Sequence, residues 1–273
     1  MGTERQELNT QISNSQIDFD CENGDLVVED LLDRVERAGG RNALAVAIEQ
    51  HLATNAHNNQ AQGGYYKDVF VQCVNLWKTN DKIRQSVVDP CLGKMAAELA
   101  GVDGVRLYHD QSLVKQPWAN PTNWHVDNPS DPFHSRQSIM LWAALDDATL
   151  QNECLYFLPG TLRTSSFDVA VIGNLGEAKV DSLLDCYPGW AGIEPVAVEV
   201  KAGGGIFISG MIAHAACPNM TIHPRRVLAM LFMPCGSVYN GQPAALPAKY
   251  AAKLAVGELL DDDEHLPLLY ATG

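Results

Sequence analysis

Hydrophobic residues recur at two different spacings along the chain, and the change of spacing divides it into two parts. Up to about residue 100 they recur every three to four positions, which predicts helices over 25–37, 41–54 and 90–99. From residue 105 onward, short apolar runs separated by glycine, proline and asparagine are typical of strands. The predicted strands are 105–114, 137–145, 153–158, 196–200, 205–209 and 226–233. The chain is therefore expected to be mainly β with flanking helices.

The short strands separated by turns predict a double-stranded β-helix, that is, a jelly roll of the cupin-like kind. We expect one domain over 1–273, with a mostly helical part at 1–100 whose first 24 residues are flexible, a jelly-roll core at 101–235 and a C-terminal tail at 236–273. The segment 165–194 is long for a connection in a compact domain. It is expected to be either a lid or a surface excursion with a helix at 176–186.

The charge balance narrows the classes of partner. The chain has 33 acidic and 19 basic residues, a net charge of −14 and a pI near 4.8. Nucleic acids and anionic membranes are bound largely through excess lysine and arginine, so neither is expected as a partner. No apolar run approaches the length of a membrane span, and the first 20 residues lack a signal-peptide core. Seven scattered cysteines without a Cys-x-x-Cys pair fit a cytoplasmic protein.

His125 and Asp127 are the first candidate metal ligands. They stand two positions apart, and in an extended segment alternate side chains share a face, so both can reach one ion while Val126 points away. An imidazole and a carboxylate are two of the three ligands that hold non-haem iron on one face of an octahedron. The alternative is a strand-end histidine hydrogen-bonded to its neighbouring aspartate.

The segment 201–234 adds a second histidine and an arginine. It predicts a glycine-rich turn, a strand, a loop holding His214 and a final strand opened by Arg225, 11 positions after that histidine. The planar guanidinium of an arginine matches a carboxylate through two parallel hydrogen bonds, which suits the distal carboxylate of 2-oxoglutarate. Taken singly, His214 could cap backbone groups in a loop, and Arg225 could be solvated beside Arg226.

Taken together, these segments resemble the phytanoyl-CoA dioxygenase family of Fe(II)- and 2-oxoglutarate-dependent oxygenases. That family shows a His-x-Asp, a distal His and an Arg 11 positions after it, matched here by His125, Asp127, His214 and Arg225. The resemblance continues through 107–117 and 138–161. Position 153 is a departure, because relatives often carry glycine where this chain has Glu153.

The resemblance implies roles that the pattern alone does not. His125, Asp127 and His214 would hold the iron, and the 2-oxoglutarate pocket would be formed by Arg225, Gln111, Trp142 and Lys115. Without it, Trp142 would be assigned to core packing in an apolar run. Gln111 and Lys115 would be ordinary polar positions on a half-exposed strand.

The resemblance also implies a reaction. Such an enzyme uses Fe(II), 2-oxoglutarate and dioxygen, and the expected outcome is hydroxylation of an unactivated C–H bond with release of succinate and carbon dioxide; desaturation or ring closure is a further outcome. Iron halogenases of this superfamily lack the carboxylate ligand, so Asp127 argues against halogenation. Trp124, Asn128 and Phe133 flank the iron motif and are candidates for substrate contact, although the two aromatic residues could equally pack in the wall.

The substrate is expected to be a small molecule. No basic patch is visible for the phosphates of a coenzyme-A thioester, which favours a smaller or less anionic compound. Two other readings of the chain stay open. One is a cupin-like metal enzyme that does not use 2-oxoglutarate and in which Arg225 is structural. The other is a catalytically silent jelly roll that binds a ligand.

Overall fold

The computed structural model of the protein describes residues 11–54, 71–168 and 182–272. Within these ranges the helices are Asn14–Asn23 (α1), Arg34–Thr54 (α2), Asp81–Val87 (α3), Pro90–Ala100 (α4), Ser182–Cys186 (α5) and Ala248–Ala251 (α6). The strands are Asp25–Val28 (β1), Val71–Val74 (β2), Gly104–Lys115 (β3), Thr122–His125 (β4), Ile139–Ala144 (β5), Leu155–Phe157 (β6), Val196–Val198 (β7), Gly205–Ser209 (β8), His214–Ala216 (β9), Arg225–Pro234 (β10) and Leu268–Ala271 (β11). Short 3-10 helices lie at Leu76–Lys78, Asn128–Ser130, Thr161–Arg163 and Pro188–Gly192.

The strands form two antiparallel sheets. The larger sheet has the order β1-β8-β5-β10-β3-β11, with β2 also paired to β3, and the smaller sheet has the order β4-β9-β6-β7. Side chains from both sheets meet in one apolar cluster, which includes Trp142 and Val227 from the larger sheet and Leu155 and Phe157 from the smaller. Two antiparallel sheets packed over a common core form the predicted jelly roll.

A helical layer covers the other face of the larger sheet. Its apolar side chains come from the three helices α2, α3 and α4, and they pack with strand residues such as Leu107, Leu141 and Phe207. The sequence sets the bounds of α4: the Asp89 side chain accepts a hydrogen bond from the Cys91 N–H at its start, and Gly101 with φ +64° ends it. These are the usual start and stop signals of a helix. The helices thus leave the opposite face of the sheet for the site.

The inner face of the larger sheet is organised in rows. Side chains alternate along a strand, and a bulge between Leu231 and Phe232 of β10 shifts the register at one end. Toward the smaller sheet, β3 and β10 present the pairs His109–Leu231, Gln111–Ala229, Leu113–Val227 and Lys115–Arg225. His109 at one end of this face is therefore separated from Lys115 and Arg225 at the other by two pairs, in which Gln111 is the one polar residue.

The structure agrees with the six predicted strands and with the helix at 90–99, but it corrects three other expectations. Residues 25–28 are strand β1 rather than helix, because they pair with β8. The supposedly flexible segment 1–24 contains α1, which begins at a Ser13 capping box. His214 lies in strand β9 rather than in a loop. The C-terminal tail at 236–273, for which no element was predicted, contains α6 and β11. Residues 1–10 of the segment 1–24 lie outside the described ranges.

The segment 165–194 is described only in part, because residues 169–181 lie outside the described ranges, as does most of the predicted helix at 176–186. Its later portion holds α5 and packs Leu183 and Trp190 against Val126 and Met211. Whether the segment acts as a lid stays a hypothesis. Among the described residues, no helix is both long and apolar enough to cross a membrane.

Candidate active site

Two neighbouring strands of the smaller sheet bring the candidate histidines together. His125 ends β4 and His214 begins β9, and the two residues are direct partners in the antiparallel pairing. Their ring centroids are 4.1 Å apart, with an angle of 52° between the planes. The strand register therefore accounts for the meeting of two residues that are far apart in sequence.

Each of these rings is oriented by the backbone of its own strand. Nδ1 of His125 donates to the carbonyl oxygen of Asn123 at 2.7 Å, and Nδ1 of His214 donates to that of Ile212 at 3.2 Å. A carbonyl can only accept, so these bonds place the ring proton on Nδ1 and leave Nε2 as a lone-pair donor. Burial lowers the pKa of His125 to about 4, and repulsion from His214 adds to this shift. The imidazole of His125 is therefore in the neutral form that binds metals.

Asp127 supplies the carboxylate. An extended backbone was expected here from the sequence, but Asp127 does not continue the strand. Its φ of −75° and ψ of −54° are helical. Its Oδ1 still lies 3.5 Å from Nε2 of His125, and its Oδ2 lies 3.8 Å from Nε2 of His214. Val126 points away into an apolar cluster, as predicted.

These three side chains fit a metal ion. One ligand atom from each lies within 4.8 Å of the others. Oδ2 of Asp127 is buried and accepts no hydrogen bond from any described residue. A buried carboxylate oxygen without a partner is costly unless a cation satisfies it. Two neutral imidazoles and one carboxylate are the donor set typical of non-haem Fe(II) oxygenases.

Arg225 lies at the opposite end of the inner face and is only 1% exposed. Its Nη1 donates to the carbonyl oxygen of Leu113 at 2.9 Å, and its guanidinium carbon lies 4.9 Å from the Trp142 ring centroid. Its Nη2 forms an ion pair with Glu153. Burial lowers the pKa of Arg225 to about 9, so it remains charged at neutral pH. The alternative in which Arg225 is solvated beside Arg226 is therefore wrong.

Lys115 and Gln111 also lie on this face. Lys115 is fully buried, and its Nζ donates to Glu153 Oε1 at 2.8 Å. Burial lowers the pKa of Lys115 to about 6, and Arg225 adds to the shift. The Glu153 carboxylate at this distance opposes the shift and favours the ammonium form. Gln111 accepts a hydrogen bond from Nε2 of Gln72 at 2.6 Å. Two of the predicted pocket residues are thus connected to Arg225. Trp142 lies against its guanidinium, and Lys115 shares Glu153 with it as an ion-pair partner.

The three predicted substrate contacts have different surroundings. Phe133 is buried and lines a cleft beside Asp127. Trp124 instead packs against the apolar cluster that contains Val126. Asn128 is fully buried, and its amide bonds to Asp131, to the Phe133 carbonyl and to the Ser135 N–H. The geometry favours Phe133 among the three, because the amide of Asn128 is occupied in holding its own loop.

Two further residues were missed in the sequence. His109 is 6% exposed, and neither of its ring nitrogens has a hydrogen-bond partner among the described residues. Burial lowers its pKa to about 3, although Asp127 opposes the shift. Glu153 contacts both cations at the other end of the face. Its only sequence signal was the departure from glycine, and His109 had none beyond strand alternation with Gln111.

Comparison with known proteins agrees with this geometry. The family model described as phytanoyl-CoA dioxygenase matches residues 21–227. Phytanoyl-CoA dioxygenase domain-containing protein 1 from Mus musculus is 30% identical over 101 residues, which is 37% of this chain and 35% of that protein. Methylphosphonate hydroxylase from Gimesia maris is 29% identical over 150 residues, 55% of this chain and 53% of that protein. The chain thus matches about a third to a half of the length of these relatives.

Solved structures cover nearly the whole chain. The non-heme alpha ketoglutarate dependent carbocyclase SnoK from nogalamycin biosynthesis has a TM-score of 0.76 at 22% identity, covering 94% of this chain and 96% of that one. The epimerase SnoN in complex with Fe3+, alpha ketoglutarate and nogalamycin RO has a TM-score of 0.74 at 25% identity, covering 93% and 97%. The family model spans well over half of the sequence, and the chain therefore belongs to the phytanoyl-CoA dioxygenase family of 2-oxoglutarate-dependent non-haem iron oxygenases.

Proposed function

We propose that this protein hydroxylates an unactivated C–H bond of a small molecule, with Fe(II) held by His125, Asp127 and His214. The observation that carries the proposal is the convergence of these side chains, with both Nδ1 atoms bonded to backbone carbonyls and one carboxylate oxygen without a partner. Bound Fe(II), with 2-oxoglutarate and dioxygen, supplies the chemistry that converts a C–H bond into an alcohol and releases succinate and carbon dioxide.

Arg225 is proposed to bind the distal carboxylate of 2-oxoglutarate. Its burial supports this role, because a charge-assisted bond to a carboxylate is stronger where water is excluded. Trp142 lies against the guanidinium and limits its movement. Lys115 adds a second positive group beside it. The burial of both Lys115 and Arg225 at this end of the inner face favours 2-oxoglutarate binding over a cupin-like enzyme in which Arg225 is purely structural.

The substrate is proposed to enter at the end of the inner face that carries His109. Next to Asp127 a cleft is lined mainly by apolar side chains, including Phe133, Met140 and Leu231. His109 is the direct strand partner of Leu231 and offers a buried ring nitrogen to a polar group of the substrate. An apolar wall with few polar groups is typical of a pocket that orients a small molecule. The role of these residues is to position the target carbon and exclude water.

We also propose that the chain acts as one catalytic domain in a reducing compartment such as the cytoplasm. The support for one domain is that residues from α1 to β11 pack on the same two sheets. All seven cysteines are free thiols, which is usual where thiols are kept reduced.

The proposal is tested with the Fe(II)-loaded protein, 2-oxoglutarate and a panel of small molecules under dioxygen labelled with heavy oxygen. Hydroxylation predicts that a substrate stimulates succinate release and that one labelled oxygen enters succinate and one enters the product. Stimulated succinate release with an unlabelled epimerised, desaturated or cyclised product would contradict hydroxylation while retaining the oxygenase. A product formed without consumption of 2-oxoglutarate would contradict the proposal as a whole.

A further inference from the structure

Lys115 and Arg225 are direct partners in the β3–β10 pairing and point to the same face of the sheet. They are 0% and 1% exposed. Like charges directly opposite each other destabilise a strand pair. Two buried cations in this arrangement therefore require a negative partner.

Glu153 supplies that partner from the other sheet. It lies in the turn before β6, and its side chain is 4% exposed. One oxygen accepts from Lys115 Nζ at 2.8 Å, and the other forms the ion pair with Arg225 Nη2. The hydroxyl of Thr122 lies 3.2 Å from the same Lys115 nitrogen. Glu153 thus bridges the sheets at the place where the co-substrate carboxylate is proposed to bind.

The backbone of Glu153 is unusual for its residue type. Its φ is +86°, in the left-handed region that glycine adopts without cost. A side chain held in such a conformation persists where its surroundings determine it strongly. The contacts with Lys115 and Arg225 are the interactions that hold it here.

The guanidinium of Arg225 is only partly used. Nε and Nη2 form one edge of its fork, the kind of edge that a carboxylate grips with two parallel hydrogen bonds. Nη2 contacts Glu153, whereas Nε has no acceptor among the described residues. A second carboxylate can therefore form hydrogen bonds with both Nε and Nη2 only if Glu153 no longer contacts Nη2.

We propose that Glu153 is an internal carboxylate that occupies the co-substrate position on Arg225 until 2-oxoglutarate displaces it onto Lys115. This inference rests on the proposed function, in which Arg225 receives the distal carboxylate. After the exchange each cation holds one carboxylate, so neither is left buried without a partner. The affinity for 2-oxoglutarate is then set by competition with Glu153, and an oxo acid without a distal carboxylate cannot drive the exchange.

The test is an anaerobic titration of the Fe(II)-loaded protein with 2-oxoglutarate, compared with Glu153→Gln and Glu153→Gly. Gln removes the charge at similar size, and Gly suits the positive φ if Gln disturbs the turn. Both variants are expected to bind 2-oxoglutarate at least about tenfold more tightly, because two cations then lack a carboxylate. Oxalate, which has no distal carboxylate on a chain long enough to reach Arg225, is expected to bind each protein equally. Glu199→Gln is the matched control, since Glu199 accepts from the Leu150 N–H of the same turn.

The outcomes separate this inference from the proposed function. Unchanged or weaker binding of 2-oxoglutarate by both variants, with the parent binding it, would overturn the role of Glu153 alone. Binding by the variants but not by the parent would support that role. Binding of oxalate but not 2-oxoglutarate by all three proteins would overturn both.

Discussion

His125 and His214 face each other across the β4–β9 pair, and each donates its Nδ1 proton to the carbonyl oxygen two residues before it. The same kind of hydrogen bond to the backbone thus orients both imidazoles. Because the acceptors are main-chain atoms, the ring orientation needs no further side chain. The Nε2 atoms are left directed toward Asp127, at 3.5 and 3.8 Å. The strand pairing itself therefore orients the two histidines of the proposed metal site.

Asp127→Ala is expected to abolish stabilisation by Fe(II) without destabilising the metal-free protein. Oδ2 of Asp127 is buried without a hydrogen-bond donor, so its removal relieves a desolvation cost. In the parent, a metal ion at 100 times its dissociation constant adds about 2.7 kcal/mol to the free energy of unfolding. Thermal unfolding with and without Fe(II) measures both effects. A metal-free variant that unfolds well below the metal-free parent would show that Asp127 is a structural residue.

Arg225→Lys is expected to raise the KM for 2-oxoglutarate by roughly 10- to 100-fold, since a charge-assisted hydrogen bond contributes about 1.5–3 kcal/mol. Lysine keeps the charge but lacks the planar fork and the stacking on Trp142. Arg226→Lys is the control. Because Arg226 pairs with Asp146 and is partly exposed, the KM of this variant for 2-oxoglutarate is expected to change by less than about twofold. Equal effects of the two substitutions would contradict the assignment of Arg225.

His109→Phe is expected to separate folding from substrate binding. Removal of a buried imidazole without partners should leave the substrate-free protein as stable as the parent, or more stable. With a substrate identified by succinate release, its KM should rise, because a polar contact is lost, while the KM for 2-oxoglutarate is unchanged. A variant with unaltered substrate KM would rule out His109 as a positioning residue.

The contribution of Asp20 to the free energy of unfolding is expected to fall as the pH rises from about 4 to about 7. Burial raises the pKa of Asp20 to about 7, with Asp25 adding to the shift, against an ordinary value of 3.8. In that window Asp20 holds its proton more tightly in the folded protein than in the unfolded one, so its deprotonation costs folding stability. Asp20→Asn should remove this contribution and raise the Tm at about pH 8 by a few degrees. Asp18→Asn, at an exposed position, is the control; a parent-like pH dependence in Asp20→Asn would contradict the assignment.

The strands of the core were predictable because their apolar runs are separated by strong turn signals. Strand β1 was not, since Asp25–Val28 carries helical spacing and is decided by its pairing with β8. The His214 segment was taken for a loop because three residues are too few to show alternation.

The candidate metal ligands were predictable from their spacing and the family resemblance, but their setting was not. Asp127 reaches the site from a helical backbone. Glu153, next to the smaller sheet, forms an ion pair with Arg225 of the larger sheet. Such contacts depend on tertiary packing, which local spacing does not encode. His109 likewise becomes notable only once its burial and lack of partners are known.

The most direct test of the account is an anaerobic titration of the metal-free protein with Fe(II) and then 2-oxoglutarate, followed by the visible charge-transfer band of the chelate. The parent and His223→Ala, which changes an exposed histidine, are predicted to develop the band. His214→Ala is predicted to remain folded by circular dichroism but to show no band. A band of equal intensity in His214→Ala, or none in a parent that binds iron stoichiometrically, would contradict the proposed site.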